Sequence, residues 1–275
     1  MFYSVGSSLP EYRVRASLET GDSDNRIRDD EYARRHGFRA GLLPGTTLFA
    51  YMSRPLVEAL GRDWLERGSA DVRFIHPIYE GEEIHVGGAV SSVAKDGTLW
   101  LECQAVNNQG SICGTGLAQL HPVTTIAEPS AGEYPSGRAR LHRPISLELL
   151  QIGENLTPIT SEFTWNVHWQ YCRKSLRDHH PLYEKILHPA WLVSRASHIL
   201  SVNYAIQAWI DVSCQVQHFH VQEQECIIET RGRVQGKFER NGDHFIVLDL
   251  AVFAPTCCLA TIQYTAIFHI APNAA

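Results

Sequence analysis

The sequence has no apolar stretch long enough to cross a bilayer as a helix, and residues 1–6 lack the basic and apolar regions of a signal peptide. The net charge of −6 gives no support for nucleic-acid binding. There is no Cys-x-x-Cys pair, and the seven cysteines are an odd number. These absences predict a cytoplasmic protein with reduced thiols that binds neither a membrane nor a nucleic acid.

The fourteen histidines do not form a recognisable metal site. His179 and His180 are adjacent, and His218 and His220 flank one residue, but neither pair has the partners that a structural or catalytic metal needs. We therefore expect no metal. With 275 residues, of which 44% are hydrophobic and 20% charged, the chain is long enough for one large globular domain or two of ordinary size.

The chain is organised around residues 41–60. From Thr46 to Tyr51 this segment is apolar on nearly every side, which predicts a buried helix, and Pro55 should kink or shorten it. The first amides of a helix have no partner within it and lie at the positive end of its dipole, so they can hold a carbonyl oxygen that becomes negative during a reaction. Alternatively, Gly41 and Gly45 only form a tight turn.

Strand-like segments surround this helix. An apolar–polar alternation in residues 10–24 predicts a first strand, and Asp29 to Gly37 has the start and stop signals of a short helix. After the long helix, strands are predicted over 71–77, 83–93, 99–106 and 111–123, with a tight hairpin at Asp96-Gly97. Residues 123–158 are rich in proline, serine and glycine and read as a linker.

The first half then recurs. A strand is predicted over 161–171, and a second apolar helix over 190–206. Val216 follows Val72 by 144 positions, Leu187 follows Leu43 by the same number, and the Asn241-Gly242 turn follows Asp96-Gly97 by 145. Helices and hairpins at one offset indicate an internal duplication.

Several motifs resemble the MaoC-like hotdog family of acyl-thioester hydratases and dehydratases. The order of that family's first motif is followed by Asn25, Arg28, Asp30, Ala33, Gly37-Phe38 and Gly45, and a later strand pair by 72–82. In the second half, residues 178–183 occupy the motif and His188-Pro189-Ala190 the helix start. The resemblance implies an α+β double hotdog with two antiparallel sheets, back to back, each wrapped around one long central helix. The halves would span 1–122 and 159–275.

The departures from the family motif concern its catalytic Asp and His. In the first half the Asp position is Ser23 and the His position is Arg28; in the second half Asp178 is retained, but the His position is Tyr183. Arginine stays charged and cannot act as a base, and an ordinary tyrosine titrates far above neutrality. Hotdog thioesterases usually carry a carboxylate on the central helix, where this chain offers only Glu58.

Three functions remain open. The best supported is a thioesterase that cleaves an acyl-CoA or acyl-carrier thioester with a positioned water, its site formed by Asn25, Arg28, Gly45, Thr46 and Ser53. The second is a hydratase or dehydratase with an unusual acid–base set, in which Asp178 acts with His180 or His36, and Tyr183 contributes. The third is a non-catalytic acyl-thioester binding subunit. No cofactor is expected, since CoA or phosphopantetheine belongs to the substrate; a homodimer of double hotdogs is an alternative to a monomer.

The two helix starts differ. Pro189 matches Gly45 at the offset of 144, and a proline has no N–H to donate. Only five positions separate Tyr183 from His188, against sixteen between Arg28 and Pro44, so the second half has no room there for a covering helix, unless the linker supplies one. We therefore expect the first half to hold the working site and the second to close the acyl tunnel.

Overall fold

The computed structural model describes residues 3–18, 24–123, 126–138 and 140–271. Ser23, which stands at the family's Asp position, lies outside these residues. The first half contains one long helix and two short ones among five strands. In chain order its elements are β1 Tyr12–Arg15, α1 Asp30–Arg35, α2 Gly45–Leu60, α3 Arg62–Arg67, β2 Gly68–Phe74, β3 Glu83–Val93, β4 Leu99–Asn107 and β5 Ile112–Leu120.

The second half repeats this pattern with one long and one short α-helix. Its elements are β6 Ile159–Phe163, α4 Trp165–Gln170, α5 Pro189–Asn203, β7 Ile210–His218, β8 Cys226–Arg240, β9 Asp243–Phe253 and β10 Cys258–His269. A π turn over Tyr171–Ser175 extends α4, and a 3-10 turn covers Pro181–Glu184. The strand predicted over 161–171 is therefore wrong beyond Phe163, because the chain turns into α4 there.

Both central helices are where the apolar pattern predicts them. Helix α2 is buried along most of its length and continues through Pro55 to Leu60, so the expected shortening at Pro55 is wrong. Helix α5 packs against α2 and against β9 and β10, while α2 also packs against strands of its own half and β7. The two helices share one hydrophobic core with the sheet.

The strands form one continuous antiparallel sheet in the order β1-β3-β4-β5-β2-β7-β10-β9-β8-β6. The halves join edge to edge through β2 and β7, where Ser69 faces Gln217 and Arg73 faces Ser213. The expected layout of two separate sheets, back to back, is thus replaced by a single ten-stranded sheet. Pairing β2 with β7 satisfies backbone groups that each half would otherwise leave exposed at an edge.

The segment between the halves packs on the second half. The Tyr134 hydroxyl donates to Asp249 of β9 at 3.0 Å, and Lys237 of β8 donates to the Leu150 carbonyl at 2.6 Å. Leu156 is completely buried. Within the described ranges, no helix is both long and apolar enough to cross a membrane.

Candidate active site at the start of helix α2

A cavity of about 400 Å³ lies at the start of α2, between the two halves of the chain. Its lining is mainly apolar and comes from the α2 start, the ends of β2 and β10, the beginning of β7 and the β8–β9 hairpin. The polar residues in the lining are Asn25, Arg28, Asp211, His76, Arg240, Asn241 and Asp243, together with the Gly45 backbone. A mostly apolar cavity with a few convergent polar groups is the usual form of a small-molecule site.

Asp211 caps the helix start. The Gly45 amide donates to its Oδ2 at 2.7 Å, so a carboxylate from the second half lies at the positive end of α2. A Cβ on Gly45 would come within 2.6 Å of the Asp211 Cβ and 2.7 Å of the Phe74 ring, so only glycine permits this approach. The next amide, that of Thr46, has no acceptor among the described residues. Of the two expected oxyanion donors, the Gly45 amide is engaged by Asp211. The Thr46 amide is free, but Thr46 is buried and is not among the residues that line the cavity.

The second oxygen of Asp211 is also held. The Tyr264 hydroxyl on β10 donates to Oδ1, and the Ser197 hydroxyl on α5 lies 3.3 Å from the Tyr264 oxygen. Burial, followed by the charge of Asp211, raises the pKa of Tyr264 well above its ordinary value. Tyr264 therefore stays protonated and gives its hydrogen to Asp211, which leaves Ser197 to donate to Tyr264. Asp211 is thus oriented from three elements.

Arg28 lines the same cavity. Its Nε is buried without an acceptor, and within the described residues none of its side-chain nitrogens has a hydrogen-bond or ion-pair partner. Burial lowers the pKa of Arg28, and the negative charge of Asp211 partly offsets this effect. The side chain is thus a cation beside the carboxylate, without direct contact to it.

Asn25 joins the two halves. Its side-chain amide donates to the Trp209 carbonyl at 2.9 Å, and its oxygen accepts from the Trp209 amide at 3.0 Å and from the Ile27 amide at 3.3 Å. These bonds fix the loop that leads to Asp211. The structure places Asn25 at the cavity as a residue that positions its wall.

Ser53 lies two turns further along α2. Its hydroxyl is buried and donates to the Ala50 carbonyl at 2.8 Å, and the residue does not line the cavity. Eight residues of helix separate it from Gly45, or about 12 Å. The structure does not bring Ser53 together with Asn25, Arg28 and Gly45.

Asp178 forms a second polar cluster, inside the protein. Its Oδ1 accepts from Arg54 of α2 at 2.6 Å and from the His180 amide at 2.9 Å, and its Oδ2 lies 3.5 Å from His188 Nε2. Burial alone would raise the pKa of Asp178, but His188, Arg54 and the His180 amide lower it to about 2. Asp178 is therefore a carboxylate locked into an internal network.

His188 cannot serve as a free base in this cluster. Its Nδ1 accepts from the Ala190 amide at 3.0 Å and caps α5, so its proton sits on Nε2 and faces Asp178. Tyr183 is buried against the His188 ring, with 4.1 Å between ring centroids. His180 Nδ1 likewise accepts from the Leu182 amide. The Ala190 amide that would replace Pro189 as an oxyanion donor is occupied.

The start of α5 is also closed. The cavity beside Pro189 measures about 10 Å³, against about 400 Å³ at the start of α2. The covering segment is α4 with the π turn, because His168 Nε2 accepts from the His188 amide at 2.9 Å. The cover therefore comes from the second half itself and not from the linker. His36, at the end of α1, stacks on Tyr32 and contacts its carbonyl.

Asp211 and Tyr264 were not predicted from the sequence. Asp211 belongs to no motif, and at the repeat offset it corresponds to Arg67. Tyr264 follows the buried alternation of β10 like any core residue. Within the described residues, no three His, Cys, Asp or Glu side chains converge on a metal position.

The fold is shared with solved structures. A protein assigned as a MaoC domain dehydratase from Chloroflexus aurantiacus J-10-fl has 13% identity and a TM-score of 0.69, with 97% of this chain and 95% of that chain covered. A conserved hypothetical protein from Mycobacterium tuberculosis with a double hotdog fold has 10% identity and a TM-score of 0.63, with 96% of each covered. A protein assigned as an oleoyl thioesterase from Lactobacillus plantarum has 11% identity and a TM-score of 0.53, covering 96% and 97%.

At sequence level there is no such match: no family model matches the chain, and no curated protein does. The similarity to the solved structures nevertheless spans nearly the whole chain in each case. Together with the two central helices and the duplicated strands, it confirms that this chain has the double hotdog fold and resembles MaoC-like proteins and hotdog thioesterases in its architecture.

Proposed function

We propose that this protein is a thioesterase that hydrolyses an acyl-CoA or acyl-carrier thioester in the cavity at the start of α2. The observation that carries the proposal is the Asp211 carboxylate, which lines the cavity and accepts from the Gly45 amide at the helix start, one residue before the unengaged Thr46 amide. A carboxylate can take a proton from water, and an unengaged helix amide can stabilise the oxyanion that water attack creates. The Arg28 cation lines the same cavity near Asp211.

In the proposed reaction, water binds to a lone pair of Asp211 that neither Gly45 nor Tyr264 uses. Asp211 accepts one proton as the water oxygen attacks the thioester carbon, and the carbonyl oxygen becomes an oxyanion near the Thr46 amide. Collapse of this intermediate breaks the carbon–sulfur bond. The thiolate then takes the proton from Asp211, giving a carboxylic acid and a free thiol.

The hydratase alternative is weaker on this geometry. Hydration needs an acid–base pair that reaches the substrate, and neither Asp178 nor its expected partners His180 and His36 line the cavity at the start of α2. Asp178 is 3% exposed, and its Oδ1 accepts from Arg54 and from the His180 amide. His180 Nδ1 already accepts from the Leu182 amide, and His36 Nδ1 contacts the Tyr32 carbonyl. The solved MaoC-like dehydratases share the fold with this chain, so hydration is retained as an outcome of the test.

The free cysteines fit a reducing compartment, and we place the protein in the cytoplasm. A homodimer of double hotdogs is tested by light scattering during gel filtration. CoA or phosphopantetheine enters as part of the substrate, and we propose no further cofactor.

The test is thiol release from a panel of saturated and 2-enoyl CoA thioesters, followed with a thiol-reactive dye and blanks for the protein's own cysteines. We expect release by the wild type and a loss of about 100-fold or more in kcat for Asp211→Asn, which removes the base. The control is Asp178→Asn, which should alter stability more than kcat. Loss of enoyl absorbance without thiol release would favour the hydratase. Binding without turnover would favour a binding subunit.

A further inference from the structure

The guanidinium of Arg28 has no hydrogen-bond or ion-pair partner among the residues that the structure describes. Other partly buried arginines have acceptors: Arg54 donates to Asp178, Arg143 to Glu154, and Arg195 to Ser161. In contrast, no acceptor for Arg28 exists among the described residues, although its Nε is buried. Because taking a charge out of water is costly unless it is paired, a desolvated guanidinium in a cavity requires a partner from outside the protein.

The backbone holds this cation in place. A Cβ on Gly41 would lie 1.9 Å from the Arg28 carbonyl oxygen, so the two segments are in close contact. The Leu42 amide donates to the Ile27 carbonyl at 3.0 Å, and the Arg28 amide donates to the Asn25 carbonyl at 3.2 Å. The base of the side chain is thus fixed on a short, tied turn, and the guanidinium faces the cavity that Asp211 also lines.

Asp211 does not neutralise the charge of Arg28 by direct contact. Its two oxygens accept from the Gly45 amide and the Tyr264 hydroxyl, and no direct ion pair to Arg28 is formed in the described part of the chain. The rest of the lining is mainly apolar, although His76, Arg240 and Asp243 also contribute to it. A planar guanidinium is suited to bidentate binding of a carboxylate, which is itself stable in such surroundings only when paired.

We propose that Arg28 binds a carboxylate on the acyl group, so that the substrates are thioesters of small dicarboxylic acids. This inference rests on the proposed site at α2. The cavity of about 400 Å³ is at the small end of ligand sites, which fits a short acyl chain. Because Arg28 shares the cavity with Gly45 and Asp211, the group that it binds belongs to the acyl part next to the reacting carbonyl.

The experiment compares succinyl-CoA with butyryl-CoA, which have the same number of acyl carbons and the same CoA. We expect a higher kcat/KM for succinyl-CoA in the wild type, and a fall of about 10- to 100-fold in the succinyl-to-butyryl ratio for Arg28→Met, the range for a hydrogen bond to a charged group. Arg28→Lys should keep part of the preference. The matched control is Arg26→Met, since Arg26 lies on the same turn, is exposed and does not line the cavity.

If Arg28 only stabilised the oxyanion, Arg28→Met would lower both rates together and leave the ratio unchanged, which would overturn the proposal. A wild type that prefers butyryl-CoA would also overturn it. Binding of both thioesters to Asp211→Asn, measured by calorimetry, separates this proposal from the proposed reaction. Tighter succinyl-CoA binding that Arg28→Met abolishes supports the inference even if no thiol is released, and equal binding refutes it even if hydrolysis is observed.

Discussion

Replacing Gly45 by alanine tests how the cavity positions Asp211. The added Cβ would lie 2.6 Å from the Asp211 Cβ and 2.7 Å from the Phe74 ring, where ordinary contacts begin at 3.4 Å. Asp211 therefore has to retreat by about 0.8 Å, the difference between these two distances. The bond from the Gly45 amide to Oδ2, now 2.7 Å, would lengthen to about 3.5 Å and cease to be a hydrogen bond.

This shift of Asp211 should lower kcat strongly and the free energy of unfolding only slightly. Misplacing a catalytic group by about 1 Å can cost about 100-fold in rate, so we expect kcat to fall by that order for Gly45→Ala. Overpacking costs about 1–3 kcal/mol, while alanine gains about 0.5–1 kcal/mol over glycine in a helix. The net loss of stability is then about 0–2.5 kcal/mol, and the variant should remain folded.

Thiol release and a urea unfolding curve, recorded on the same preparations, measure both quantities. The matched control is Gly87→Ala on β3, where an added Cβ has no neighbour within 4 Å. A Gly45→Ala variant that keeps a third or more of the wild-type kcat would refute the assignment of Asp211. An equal loss in Gly87→Ala would show that glycine replacement acts through general stability.

Three further predictions concern stability. Arg54→Met leaves Asp178 buried without its cation and should cost about 3–5 kcal/mol in urea unfolding, whereas exposed ion pairs are typically worth about 1 kcal/mol or less. Burial lowers the pKa of His168 and of His218 to about 3. Below the ordinary pKa of 6.5 the unfolded chain therefore binds protons that the folded protein does not. The free energy of unfolding is unaffected by these two histidines above pH 6.5 and decreases as the pH falls from there towards 3. Between pH 6.5 and 4.5 unfolding should become easier by about 5 kcal/mol, and His218→Gln should remove about half of that dependence. Asn25→Ala leaves the Trp209 backbone unpaired, so it should cost about 1–3 kcal/mol and speed hydrogen exchange at the Trp209 amide; unchanged exchange would contradict the role given to Asn25.

The two helix starts show how one fold can hold an open site and a closed one. At α2 the cap is a carboxylate from the other half, which leaves the Thr46 amide and a cavity of about 400 Å³. At α5 the cap is His188, the adjacent residue, which occupies the Ala190 amide, and α4 with the π turn covers the helix start. The helix start that has space for a ligand is therefore the one whose cap comes from the other half.

Local patterns were sufficient to predict much of the fold. The apolar run from Thr46 to Tyr51 predicted α2, and Asp96-Gly97 predicted the turn between β3 and β4. The common offset predicted the repeat. These features could be predicted because burial and turn chemistry depend on neighbouring residues. The resemblance in motif order then implied the double hotdog, which the structure confirms. The same local reasoning failed at 165–171, where a strand pattern folds as α4 and a π turn.

The site required tertiary structure. Asn25, Arg28 and Gly45 could be named from their motif, but Asp211 meets Gly45 across 166 positions and Tyr264 across 53, with no motif linking them. Likewise, no pattern within β2 or β7 specifies that these strands pair and join both halves into one sheet. Sequence periodicity determines which face of an element is buried; which buried faces and edges meet depends on the packing of the whole chain, and that packing placed the carboxylate beside the helix start.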